Sequence, residues 1–391
     1  MITHEKIDYI IEPNTDLTKR NMKDILGTIP TKISLTKLLM DAVVEHLKNR
    51  NVDYFVVGNG IIFSSIRASE EVTNHKEGET AIILGLSTMD LKQRKVVVYG
   101  NDVDLFVLLL AHYRNIDCKD LQMKSLLGYI SLTAIYNFFG HQVSSALLPF
   151  HALTGCDVTG KFSGRSKEFW TKKFIEERNN EQFINALLSL NNCHFDEVIG
   201  ELSSFICRSY CTKKTPKRVT NSLAETRFFL YKKFSSETNK LPPTQGAFLQ
   251  HIKRACYPLV IWNSANLPMT MTIDPLCNGW ELNKDGHLMP VCTHDNIAPE
   301  GLIELVSCNC QGDCTKGRCT CQKSSTNCTD LCGCGDICMN TDVCLPTSAN
   351  DMDDEDEERM DEVNEYNEDE VEELHQYLQE LDDLEEHKQS E

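Results

Sequence analysis

The stretch at 96–110 is apolar at both ends and carries two carboxylates in its middle. It opens with β-branched residues at 96–98 and closes with an apolar run at 106–110. This pattern predicts a short buried strand that passes into a helix. Asp102 and Asp104 are costly in such surroundings unless they are paired, cap the helix or bind a cation. Two interpretations follow: Asp102 is the N-cap of the helix, or the pair binds metal at the carboxyl edge of a sheet.

Strand and helix patterns alternate along the first part of the chain, which predicts an α/β fold with a parallel sheet. The later part is predicted to be mostly helical, with Pro258 interrupting its last helix. Residues 263–300 are predicted to be a loosely structured connector anchored by Trp280. The predicted segments are a helix at 35–47, a strand at 52–57, a helix or strand at 81–86, two apolar helices between 131 and 154, helices across 168–234, and a last helix at 248–262.

The net charge of -19 is confined to one end of the chain. Residues 351–391 contain 21 acidic and two basic residues, so the first 350 residues carry 37 of each sign. Nucleic-acid binding by this neutral part would therefore use local basic patches. We expect neither a secretory leader nor a membrane span, because the first residues lack a basic and apolar leader pattern and no apolar run approaches 18 residues. An intracellular setting follows, in which clustered cysteines favour metal over disulfides.

Further carboxylates lie before and after the opening stretch. Glu77 and Glu79 flank Gly78, and Asp157 follows Gly155 and Cys156. Taken singly, the glutamates are typical of a solvated surface and Asp157 of a turn. His151 is more typical of a core histidine, or of one that supports a site, than of a catalytic base.

In their order along the chain, these residues resemble the flap-endonuclease branch of PIN-like nucleases. The closest resemblance is to a group of transposon-associated animal proteins. It rests on three motifs and continues weakly through 241–340. The motifs are Asn-His-Lys-Glu-Gly-Glu-Thr at 74–80, Asp-Val-Asp at 102–104 and Phe-His-Ala-Leu-Thr-Gly-Cys-Asp at 150–157.

The resemblance implies a site with two Mg²⁺ or Mn²⁺ ions that hydrolyses phosphodiesters, because hard cations take carboxylate ligands and paired ions can activate water and stabilise the leaving oxygen. It also implies that a glycine-containing loop before a helix grips the nucleic-acid backbone, although an ordinary basic helix start is the alternative. The implied metal ligands are Glu77, Glu79, Asp102, Asp104 and Asp157, with Asp8 as the candidate first aspartate, and the implied backbone contacts are Lys161, Gly164, Arg165 and Lys167.

Three departures from the family pattern leave a degenerate, inactive copy as an alternative. Lys76 stands where the family has a glutamate, Glu79 where it has an aspartate, and Val103 where it has a threonine.

Nine of the 18 cysteines fall within 31 residues that contain no apolar run. So short a segment needs metal or disulfides to fold, and zinc suits an intracellular chain. Nine thiolates satisfy three tetrahedral zinc ions when three of them bridge. The spacing resembles the CXC domain of the tesmin family, which implies such a cluster and either DNA binding or a structural role; the family's DNA-contacting tyrosine is Arg318 here. The predicted ligands are Cys308, Cys310, Cys314, Cys319, Cys321, Cys328, Cys332, Cys334 and Cys338.

The acidic end is predicted to be disordered, with an amphipathic helix at 371–384 that either docks on a protein partner or is simply solvated. A short basic run at 213–218 is compatible with nuclear import. The predicted organisation is a PIN-like α/β domain at 1–175, a helical extension at 176–262, a connector at 263–305, a zinc module at 306–345 and an acidic tail at 346–391.

The leading hypothesis is a metal-dependent nuclease-like protein that acts on nucleic acid, DNA in preference to RNA, with no membrane partner. We expect it in the nucleus, or otherwise in the cytoplasm. The alternatives are a non-enzymatic nuclear protein that binds nucleic acid or chromatin through the zinc module, and a structural protein that acts through its tail.

Overall fold

The structure is a computed structural model in which contacts divide the chain into two units, one that includes the residues up to Thr293 and one that holds the cysteine module. Asp8, Arg318 and the acidic tail lie outside the described residues. The described residues are 10–16, 26–66, 71–193, 195–212, 215–234 and 241–295, and then 308–314, 319–323, 327–328, 332–334 and 338–340.

The described residues of the first unit form two three-stranded sheets and a short hairpin. The first sheet is antiparallel, whereas in the second β4 runs parallel to β5 and β5 runs antiparallel to β6. The prediction of mixed helices and strands is therefore confirmed, but of the predicted parallel sheet the described residues contain only the pair β4 and β5. The strands are β1 (Phe55–Gly58), β2 (Ile61–Ser64), β3 (Glu71–Val72), β4 (Lys95–Tyr99), β5 (Asp120–Ser125), β6 (Gly128–Ser131), β7 (Trp280–Leu282) and β8 (Leu288–Pro290).

The helices follow the apolar patterns of the sequence closely. The ambiguous segment at 81–86 is helical. The two apolar helices predicted between 131 and 154 are confirmed: they meet at Gly140, whose φ of 73° and ψ of 172° are not helical, and we label them together as α4. The predicted interruption at Pro258 is wrong, because the last long helix runs through it. The helices are α1 (Ile29–Asn49), α2 (Gly78–Thr88), α3 (Val103–Ala111), α4 (Leu132–Thr154), α5 (Lys167–Glu177), α6 (Glu181–Leu190), α7 (Phe195–Tyr210), α8 (Leu223–Phe234), α9 (Gln245–Asn263) and, in the cysteine module, α10 (Thr320–Lys323).

Helix α3 is buried on nearly all sides, as its apolar sequence predicts. Every residue at 105–110 is at most 3% exposed. Asp102 is the N-cap, and its Oδ1 accepts a hydrogen bond of 2.8 Å from the backbone N–H of Asp104. The N-cap interpretation of Asp102 is therefore confirmed. The cap also fixes where the chain turns from β4 into the core.

An aromatic cluster joins α4 to the helices that follow it. Phe150 of α4 is fully buried, and its ring centroid lies 4.9 Å from that of Phe174 and 6.1 Å from that of Phe205. Phe183 and Phe205 stack with their centroids 4.3 Å apart. One core therefore spans the predicted nuclease-like region and the predicted helical extension.

The predicted loose connector contains ordered structure. Residues 280–290 form the hairpin of β7 and β8. Arg254 of α9 donates hydrogen bonds to the backbone oxygens of Gly279 and Val291 and so fastens the hairpin to the helix. Trp280, the predicted anchor, is half-buried at the start of β7. Side-chain bonding to backbone carbonyls, which apolar periodicity does not report, explains the difference.

The segment just before α2 is bound to the loop that follows α9. Thr73 donates to the oxygen of Pro268 at 2.7 Å, and the Nε2 of His75 lies 2.8 Å from the oxygen of Leu267. Asn74 exchanges hydrogen bonds with the backbone of Thr270 in both directions. We call these contacts at 73–75 and 267–270 the strap.

No helix in the described part of the chain is long and apolar enough to cross a bilayer.

Candidate functional site

Carboxylates from three separate segments lie near one another in the first unit. Glu77 precedes α2 and Glu79 lies in its first turn, Asp104 lies in the first turn of α3, and Asp157 follows α4. Partial burial raises the pKa of Glu77, and the negative charges of the other three raise it further. The fold therefore brings together four of the six predicted acidic residues. We call Glu77, Glu79, Asp104 and Asp157 the acidic cluster.

Asp104 forms the closest polar contact of the acidic cluster. The Nε2 of His151 lies 2.5 Å from its Oδ1, and the side chains are 2% and 19% exposed, respectively. Burial by itself raises the pKa of Asp104. The hydrogen bond and charge of His151, together with the charge of Lys167, outweigh burial and lower that pKa below its usual value. His151 thus holds one carboxylate oxygen in place.

Glu77 is in contact with a tryptophan far away in sequence. The Nε1–H of Trp262 donates to its Oε2 at 3.4 Å, across 185 residues. The backbone oxygen of Trp262 lies 2.7 Å from the Nε2 of His112, a residue whose pKa is lowered by burial. The indole was notable in the sequence only as part of the weak later resemblance, and His112 gave no signal beyond its position after an apolar helix.

The basic loop before α5 divides into residues with different surroundings. Lys167 donates to the oxygen of Gly155, and its charge acts on Asp104, so it faces the acidic cluster. The guanidinium of Arg165 lies between two rings, 4.7 Å from the centroid of Phe169 and 4.6 Å from that of Tyr210.

Two further residues of this loop remain at the surface. Lys161 is exposed, and Gly164 forms the turn with a φ of 70°. Lys76, the cation expected beside the carboxylates, is exposed and, within the described residues, forms no ion pair with them. The acidic cluster is therefore not neutralised by Lys76.

The end of α4 has a backbone that only glycine adopts easily. Gly155 has a φ of 118°, and a Cβ there would lie 2.7 Å from the Cγ of Lys161. The positive φ lets the chain turn sharply at Gly155, two positions before Asp157. The backbone conformation and the lack of space for a Cβ thus explain the glycine at position 155 of the motif at 150–157.

The acidic cluster is open rather than closed around one ion. Among the described residues, sets of three or more ligand atoms within 4.8 Å of one another occur only among cysteines. The described carboxylates therefore do not bring three ligand atoms to one common centre.

The cysteine module shows thiols grouped at metal-binding distances. Its Sγ···Sγ distances include 3.8 Å for Cys308 with Cys314, and 3.7 Å for both Cys319 with Cys328 and Cys321 with Cys332. Four sulfurs held tetrahedrally about 2.3 Å from zinc would lie about 3.8 Å apart. A disulfide would need about 2.05 Å. The geometry therefore fits a metal such as zinc.

The thiol groups share members. Three sets of four cysteines have all Sγ atoms within 4.8 Å, and Cys308 belongs to all three. Backbone and side-chain donors also point at the sulfurs: Cys308 N–H donates to the Sγ of Cys332 at 3.4 Å, and the Nδ2 of Asn340 donates to that of Cys328 at 3.3 Å. Such N–H···S contacts stabilise thiolate ligands.

No protein-family model, no curated protein and no solved structure matches this chain.

Proposed function

We propose that this chain is a nuclease-like protein that hydrolyses phosphodiesters with two Mg²⁺ or Mn²⁺ ions at the acidic cluster. The observation that carries the proposal is the convergence of carboxylates from three segments, whose charges add to the effect of burial in raising the pKa of Glu77. Nearby carboxylates of the same charge destabilise one another, and bound cations remove that cost. A purely structural cluster would instead pair each carboxylate with a cation of the protein.

The PIN-like arrangement is part of this proposal. The parallel pair β4 and β5 and the turn from β4 into α3 at Asp102 support it, because α/β folds place their sites at the carboxyl ends of parallel strands. Bound ions would activate water and stabilise the leaving oxygen. Glu77, Glu79, Asp104 and Asp157 would hold them.

The neighbouring side chains have positioning roles in this scheme. His151 fixes one oxygen of Asp104, which leaves the other oxygen directed to an ion. Lys161 is exposed and free to approach a phosphate, whereas Lys167 would balance the charge of the acidic cluster. Arg165, stacked between two rings, would shape the loop more than bind the phosphate backbone.

The zinc module completes the proposal. Three ions held by nine thiolates need bridging thiols, and the overlap of the described thiol groups supports this, because Cys314, Cys319 and Cys328 each belong to two groups of four. Nuclear localisation, a preference for DNA and a protein partner for residues 371–384 belong to the same proposal.

The test is cleavage of labelled single-stranded, duplex and flap DNA, and of matching RNA, in Mg²⁺ and in Mn²⁺. We expect wild-type protein to cleave and Asp104→Asn and Glu77→Gln to lose cleavage. Glu281→Gln, which removes an exposed carboxylate of β7, is the matched control and should retain cleavage. Equal activity in all variants would refute the assignment of the acidic cluster.

A second candidate function is zinc-dependent binding of nucleic acid without cleavage. The thiol geometry of the cysteine module favours it, and so do the departures at Lys76, Glu79 and Val103. In the same experiment, wild-type binding without cleavage that is lost in Cys319→Ser would select this candidate.

A further inference from the structure

A row of two exposed tyrosines with a half-buried lysine between them crosses the sheet of β4, β5 and β6. Tyr99 lies directly opposite Lys124, and Lys124 directly opposite Tyr129. Residues opposite one another on adjacent strands project from the same face. The tyrosines are 73% and 64% exposed, and the Nζ of Lys124 lies 4.8 Å from the ring centroid of Tyr129.

The opposite face of this sheet belongs to the core. Val98, Met123 and Ile130 are each at most 8% exposed, and they are the strand neighbours of the row. The sheet therefore has one packed face and one face that presents two large rings to solvent within the described structure. Contiguous exposed aromatic residues are typical of binding surfaces.

A pocket borders the row at the end that leads to the acidic cluster. It has a volume of about 360 Å³ and is lined by Tyr99, Gly100, Asn101, Lys124, Ser125 and Leu126. The side-chain oxygen of Asn101 accepts a 2.8 Å hydrogen bond from the backbone N–H of Leu126, which fixes the wall of the pocket. Asn101 is followed by Asp102 and by Asp104 of the acidic cluster. Tyr99 of the row and Asp104 of the acidic cluster are thus only five positions apart along the chain.

We infer that the row of Tyr99, Lys124 and Tyr129 binds unpaired nucleotides of a single strand, whose backbone then runs past the pocket to the acidic cluster. The two rings lie two strand spacings apart, about 10 Å, with an ammonium between them. Rings accept stacked bases of any sequence, and a lysine between them suits the intervening phosphate. An apolar protein partner would leave that ammonium without a counter-charge. This inference rests on the proposed function and specifies its substrate as single-stranded nucleic acid.

Binding can be measured separately from cleavage. Full-length, zinc-loaded protein is titrated without added Mg²⁺ or Mn²⁺ against fluorescent oligo(dT), an abasic strand of equal length and a blunt duplex, and anisotropy gives Kd. Tyr99→Ala and Tyr129→Ala should each weaken oligo(dT) binding about tenfold, because stacking is lost. Tyr99→Phe and Tyr129→Phe keep the rings and should bind as wild type. Tyr231→Ala, at a ring 52% exposed on α8, is the matched control and should also bind as wild type.

Two further measurements separate the contributions of base and phosphate. The abasic strand should bind wild type about as weakly as oligo(dT) binds the Tyr99→Ala/Tyr129→Ala variant. Lys124→Gln should lower the slope of log Kd against log salt concentration by about one, the value for one lost phosphate contact. Equal affinity of wild type for abasic and normal strands would overturn the inference.

The inference and the proposed function fail in different ways. Loss of affinity in the tyrosine variants without any cleavage by wild type would support the row and refute the nuclease. Cleavage that depends on Glu77 but is unchanged in Tyr99→Ala/Tyr129→Ala would support the nuclease and overturn the row. A tyrosine double variant that changes from dimer to monomer in sedimentation while its oligonucleotide affinity is retained would assign the face to self-association and also overturn the inference.

Discussion

The hydrogen bond between His151 and Asp104 should contribute measurably to the stability of the first unit. The two side chains are 2.5 Å apart and mostly buried. Burial of Asp104 raises its pKa, and the hydrogen bond from His151 offsets this effect. Without His151, the Asp104 carboxylate stays buried but loses that donor. A double-mutant cycle with Asp104→Ala and His151→Ala isolates this interaction from the cavities that the single variants create.

The expected coupling free energy is about 1.5–3 kcal/mol, the range for a hydrogen bond to a charged group. The pair is well below one-third exposed, so screening by water removes little of it. His141→Ala is the control. His141 is exposed on the same helix, and its loss should change stability by no more than about 0.5 kcal/mol.

Denaturant unfolding, monitored by tryptophan fluorescence, gives the free energy of unfolding of the first unit for each variant of the cycle. Trp170, Trp262 and Trp280 all precede Thr293, so the signal reports the first unit while zinc stays in the buffer. A coupling energy under about 0.5 kcal/mol would refute the reasoning, because it would mean that solvent already satisfies Asp104.

The pH dependence of the coupling has a definite sign. The folded-state pKa of Asp104 lies below its usual value of 3.8, so the ionised form stabilises the fold. That contribution is fully present above the unfolded pKa and is lost as pH falls through the lower folded pKa. The coupling should therefore not decrease from about pH 7 to about pH 5. A decrease over that range would contradict the lowered pKa.

Three other predictions test the turn, the core and the cysteine module. Gly155→Ala should lower the free energy of unfolding by about 1–3 kcal/mol and slow any metal-dependent cleavage, whereas Gly160→Ala, at a position with open space, should do neither. Phe150→Ala should lower the free energy of unfolding by about 3–5 kcal/mol in the same fluorescence assay. Cys308→Ser should lose more than one zinc ion per chain by elemental mass spectrometry, because Cys308 belongs to all three thiol groups found among the described residues, whereas exposed Cys292→Ser should lose none.

The sequence was most informative where local chemistry decides the structure. The N-cap at Asp102 and the buried helix that follows it are short-range features, and a run of apolar residues around a carboxylate predicts both. The kink at Gly140 between two apolar helices has a similar origin, since glycine adopts a positive φ easily. The cysteine spacing predicted a metal-binding geometry for the same reason.

Contacts between distant segments could not be predicted in the same way. The hydrogen bond between Glu77 and Trp262 and the effect of the Lys167 charge on Asp104 depend on tertiary packing. Hydrophobic periodicity carries no information about such packing. Pro258 failed as a helix breaker because packing of α9 in the core outweighed the lost backbone hydrogen bond. The exposed row on the second sheet was missed because it appears only once strand register is known.

The strap has a consequence for how the protein is made. Its hydrogen bonds join residues that are 192 to 196 positions apart, immediately before Glu77. A ribosome therefore completes the α2 segment long before the chain that fastens it emerges. Contacts of such long range form late in folding. A nascent or truncated chain ending before residue 267 would carry Glu77 and Glu79 without the strap that holds the segment before them.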